Sequence, residues 1–125
     1  MPADRPVNLD LTKVHFPPAA IVSICHRISG VLLFLFLPLM FYLLRQVMLS
    51  QATFFHVQQL INDNQWLKVA VWLMLVSIIF HLLAGIRHLM MDLGFLESVR
   101  EGRISAYIVF VLLLISIILT GIWIW

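Results

Sequence analysis

The sequence predicts an all-α integral membrane protein with three transmembrane helices, and three observations carry the prediction. Apolar residues make up 62% of the 125-residue chain and charged residues 11%, which is too little polar surface to cover a fold in water. The excess is concentrated in three runs, Ile21–Leu44, Val69–Ile86 and Ile104–Trp125. A hydrocarbon core about 30 Å thick is crossed by roughly 20 helical residues, and each run is long enough. Inside lipid every backbone N–H and C=O must be satisfied within the segment, so each run is expected to be a helix. A chain this short is expected to form one domain.

Residues 1–18, "MPADRPVNLDLTKVHFPP", are polar and proline-rich. Their first apolar run arrives too late for a cleavable signal, so an extended cytoplasmic segment is expected. Pro17 and Pro18 suit the first turn of a helix, where the missing N–H costs nothing. The first span covers about 19–46 and carries Cys25, His26 and Arg27. Cys25 has no CxxC or CxxCH context and reads as a small buried residue. In the loop that follows, "SQATFFHVQQLINDNQW", Phe54, Val57, Leu60 and Ile61 recur at helical spacing. A short helix lying on the membrane surface is expected there, with His56 solvated or interfacial. The second span covers about 67–93. The next loop, "GFLESVREGR", contains Gly94 and Gly102 with mixed charge and reads as a turn, with room for a partial helical turn. The third span, about 104–125, has no charged side chain and ends in "GIWIW", where Trp123 and Trp125 suit an interfacial aromatic belt.

The net charge of +2 is small and no nucleic-acid partner is expected, but the cations are unevenly placed. Arg5, Lys13 and Arg27 lie at or before the start of the first span, and Arg87, Arg100 and Arg103 flank or fill the second loop. Only Arg45 and Lys68 mark the other side. The positive-inside rule then puts the N-terminus and the second loop in the cytoplasm, with the C-terminus outside.

Ionisable groups within a span are functional candidates because insertion is costly, about 2.5–3.5 kcal/mol for an arginine at mid-helix. In "SICHRISG", Ser23, His26, Arg27 and Gly30 fall on one helical face. In "FHLLAGIRHLMMD", His81, Ala84, Gly85, His88 and Asp92 do the same, and Ser77 extends the stripe. Small residues in both stripes allow close approach of a neighbouring helix or a flat ligand. His81 precedes Arg87 by six residues, roughly 9 Å along the axis. Arg27 follows Ile21 by the same number, so the stripes of antiparallel helices can meet in the cytoplasmic half of the membrane.

Such a pocket suits two chemistries. A haem needs an axial imidazole, close packing and cations near its propionates; His81, then Gly30, Ala84 and Gly85, then Arg27 with His26, fit those needs. A quinone needs donors to its carbonyl oxygens and offset of developing negative charge, which Ser23 and Arg27 can supply. From the residues alone other readings stay open. His81 equally suits an interhelical hydrogen bond, Ser23 a bond to its own i−4 carbonyl, Arg27 snorkelling to the surface, and Asp92 a pairing with Arg87 or with a partner's lysine. Met90 and Met91 read as interfacial packing.

The segments "RPVNLDL", "FPPAAIVSICHRISG" and "HLLAGIRHLMMDLGFLE" resemble the cytochrome b membrane-anchor subunit of bacterial succinate dehydrogenase (respiratory complex II). The paired signature SxxHRxxG and HxxxGxRHxxxD carries the likeness, and the three-span layout extends it over almost the whole chain. The resemblance implies haem b, held jointly with a second small membrane anchor that supplies the other iron ligand. It also implies docking of an iron–sulfur subunit and a flavoprotein on the cytoplasmic face, in the bacterial inner membrane, with ubiquinone as electron acceptor. His81 matches the axial haem ligand; Ser23 and Arg27 match the quinone site and Ile24 its lining. His26 and Arg27 match positions near the haem propionates. His88 and Asp92 match positions at the rim without an implied catalytic role. The subunit so implied is not catalytic alone. Two alternatives are a fumarate reductase anchor using menaquinone and a non-redox membrane protein whose histidines relay protons.

Overall fold

The computed structural model describes residues 16–125, so the "RPVNLDL" segment and most of the expected cytoplasmic N-terminal stretch lie outside the described residues. Four helices follow one another: α1 (Pro18–Leu49), α2 (Gln51–Asp63), α3 (Gln65–Asp92) and α4 (Val99–Ile124). No strand occurs among the described residues. By length and composition α1, α3 and α4 are able to cross a membrane. They form a three-helix bundle in which α3 packs on both α1 and α4, which also touch each other, while α2 rests on α1 and α3.

The helix ends follow from local chemistry. Pro18 opens α1 at the position where its fixed φ is already helical. Ser50 caps α2, and its hydroxyl and that of Thr53 satisfy each other's backbone N–H. Asn64 alone separates α2 from α3, and its side-chain oxygen accepts from the N–H groups of Trp66 and Leu67. α3 ends in a Schellman motif: Phe95 N–H donates to Met90 C=O and Gly94 N–H to Met91 C=O, with Gly94 at φ +83°, where a side chain would be strained. Pro38 lies within α1, which continues through it; its ring removes one hydrogen bond from the ladder.

Two stretches refine the sequence reading. The outer loop is helical as its spacing suggests, but of its apolar set only Val57 is fully buried. The second loop is shorter than expected, because α4 begins at Val99 rather than near 104. Ser98 caps it, and Glu101 reaches back to the Ser98 backbone. This Ser-x-x-Glu capping box lies inside the loop segment and accounts for its helical part.

The core is small: Val22, Phe80, Ala84, Ala106 and Val109, with Cys25, Leu83, Phe110 and Leu113 packed against it. Ala84 and Ala106 let α3 and α4 approach closely. Large apolar side chains such as Val111, Leu114, Ile118 and Ile122 point outward, as they do where the surroundings are lipid. At one end Trp72 Nε1 donates to Thr120 Oγ1 at 3.1 Å, and Trp125 packs edge-on to Trp72. Near the other, Arg87 is buried and donates from Nε to Ser105 Oγ (2.9 Å) and from Nη2 to Gly102 C=O (3.1 Å). Arg87 therefore ties α3 to α4 and, among the described residues, forms no ion pair with Asp92.

Candidate functional site

The two polar stripes meet. Ser29 stands eleven residues inside α1 from Pro18, and His81 eleven inside α3 from Asp92, which puts both about 17 Å from the same end of the bundle. The ring of His81 lies against that of His26, with centroids 4.2 Å apart and planes tilted by 31°. Its Nδ1 is 3.0 Å from Ser29 Oγ. Its Cε1 faces Gly30, where an added β-carbon would come within 3.3 Å. His81 is thus held on three sides by α1: a hydroxyl, a bare backbone and an aromatic face.

His26 is held in turn by α3. A β-carbon at Gly85 would lie 3.5 Å from His26 Nε2, so the glycine gives this nitrogen its space. His26 Nε2 is buried and has no hydrogen-bond partner among the described residues. An unsatisfied buried polar atom is costly, about 1–3 kcal/mol, which marks this nitrogen as a point where the site is unfinished among the described residues. Towards the bundle end the same face opens into a cleft of about 220 Å³ lined by Ser23, His26 and Arg27 from α1 and by Ala84, Arg87 and His88 from α3. The His88 ring stands 6.4 Å from that of His26. Two arginines and two imidazoles around one small opening make it suited to an anion.

The expected residues are therefore brought together with two exceptions. Ile24 lies on the exposed side of α1, away from the cleft, and Asp92 is exposed at the last residue of α3. Ser29 joins the site without having been expected there, and Arg87, expected as a loop-flanking cation, also lines the cleft. Ser29 sits three residues after His26, but its contact with His81 joins two helices 52 residues apart and has no local signature.

The fold and site define a multi-pass helical membrane subunit with a buried imidazole pair opening to a cationic cleft at one end. The chain belongs to the succinate dehydrogenase/fumarate reductase transmembrane subunit family, whose model matches residues 1–120. It is 65% identical to a succinate dehydrogenase cytochrome b556 subunit of Coxiella burnetii (strain RSA 493 / Nine Mile phase I), over the whole of both chains. It is 30% identical to a cytochrome b560 subunit of Reclinomonas americana over 86% of this chain and 78% of that one. A cytochrome b560 subunit of Porphyra purpurea is 29% identical over 93% of this chain and 97% of its own.

Proposed function

We propose that the chain is the haem b-binding membrane anchor of a succinate:ubiquinone oxidoreductase and contributes to its quinone-reduction site. The observation that carries this reading is the three-sided hold on His81 beside the partnerless Nε2 of His26. The relatives' names, cytochrome b subunits of succinate dehydrogenase, agree with it. The residues fit the group. Among the described residues no three His, Cys, Asp or Glu side chains converge as a metal cage, and a single well-held imidazole suits iron that arrives ringed by a macrocycle. Gly30 and Gly85 keep the site free of β-carbons, and His26 and Arg27 would receive the propionates. When bound, haem b supplies a one-electron carrier at this depth.

His81 would hold the iron through its imidazole, and a second, smaller anchor subunit would supply the other ligand. Ser23 would donate a hydrogen bond to a ubiquinone oxygen. Arg27 would offset the negative charge that develops there, with Ile24 lining the approach from the outer side of α1. The cleft end of the bundle would face the cytoplasm, where the iron–sulfur subunit and, beyond it, the flavoprotein dock. The opposite end with Trp123 and Trp125 would face the periplasm across the bacterial inner membrane.

Copurification of the complex followed by a reduced-minus-oxidised spectrum tests this. Sharp haem b bands that disappear in His81→Ala are expected; an unchanged low-spin spectrum in that variant would remove His81 from the site. Ser23→Ala and Arg27→Ala are expected to slow quinone reduction by about tenfold or more, in line with losing a hydrogen bond to a charged group, while succinate oxidation by artificial acceptors continues. Because the family description covers fumarate reductases as well, turnover with ubiquinone against menaquinone decides which enzyme the anchor serves.

A further inference from the structure

We propose that Ser29 is a positioning residue that selects the tautomer of His81 and so presents Nε2 to the metal; the inference rests on the haem reading above. Ser29 is buried and its hydroxyl lies 2.7 Å from the carbonyl of His26. Two oxygens that close need a proton between them, and a carbonyl has none, so Ser29 donates there. A hydroxyl carries one hydrogen. Towards His81 Nδ1, 3.0 Å away, Ser29 can only accept. Nδ1 therefore carries the ring proton, and in the neutral imidazole the lone pair lies on Nε2. The His26 ring against one face and the bare Gly30 backbone at Cε1 stop the ring from turning over to exchange the two nitrogens. A hydrogen bond accepted from the far nitrogen makes an imidazole a stronger donor to its metal. That stabilises ferric over ferrous iron, so Ser29 holds the haem midpoint potential down.

The test is potentiometry and low-temperature EPR of the intact, haem-loaded complex carrying Ser29→Ala and Ser29→Thr. Ser29→Ala is expected to retain haem, with an upward shift of midpoint potential and altered low-spin g values. Ser29→Thr keeps the hydroxyl and is expected to return both readings towards wild type. Wild-type potential and g values in Ser29→Ala would overturn the inference, and so would equal shifts in both variants, which would mean packing rather than a hydrogen bond. Should Ser29→Ala fail to assemble, Ser29→Cys, near in size but a weak acceptor, is expected to show the same upward shift, and wild-type values there would overturn it. If the wild-type complex held no haem, or His81→Ala left the spectrum intact, the haem reading itself would fail, a result separate from any behaviour of Ser29.

Discussion

At residue 30 the packing leaves room for a hydrogen atom and little more. A methyl there would press His81 Cε1 from 3.3 Å, a separation the ring can relieve only by moving a few tenths of an ångström. Gly30→Ala is expected to keep haem but shift its absorption bands. Gly30→Val, with two further carbons, is expected to lower haem content per complex severalfold; wild-type content and spectrum in both would mean that the ring has slack. His26, Gly30, His81 and Gly85 were legible in the sequence because ionisable and small residues at three- and four-residue spacing stand out in an apolar run. Ser29 was not, because a mid-helix serine ordinarily bonds its own preceding turn. Ser29 does that too, and its second partner comes from a helix 52 residues away in sequence, which no local pattern reports.

The hairpin of α3 and α4 is held at its closed end by a charge. Arg87 gives two hydrogen bonds to α4 from a planar fork, and hydrogen bonds to charged groups are worth about 1.5–3 kcal/mol each. Arg87→Ala is expected to destabilise the assembled subunit by about 3 kcal/mol, read as a lower midpoint temperature for loss of the complex in detergent. Arg87→Lys, which lacks the fork, is expected to recover less than half. This contact exists only because α4 starts at Val99, which places Gly102 and Ser105 within its first two turns. The charge and two glycines of this loop favour a turn, and the cap formed by Ser98 and Glu101 makes its helical part longer than a partial turn. Ser98→Ala is expected to cost about 1 kcal/mol, visible as earlier proteolysis between α3 and α4.

For the molecule as a whole, composition decided nearly everything: the length of the three apolar runs dictated three long helices, and their outward-facing aliphatic side chains match a lipid setting. Composition does not say which end faces in. Burial of Arg87 removes one cation from the loop tally, but Arg100 and Arg103 remain exposed at that end, so the expected orientation stands as a proposal. An impermeant maleimide is expected to label Ser50→Cys but not Arg100→Cys in intact spheroplasts, in a Cys25→Ala background. The opposite pattern would reverse the topology.

Pro38 lies beyond the His81 cradle, on the side of α1 that leads to α2. Without its N–H, the turn around Phe34 lacks one rung, and that point bends more easily than the rest of the helix. Strain entering α1 from its far end would meet this soft point before Gly30, whereas α3, unbroken from Gln65 to Asp92, carries His81 rigidly between both ends of the bundle.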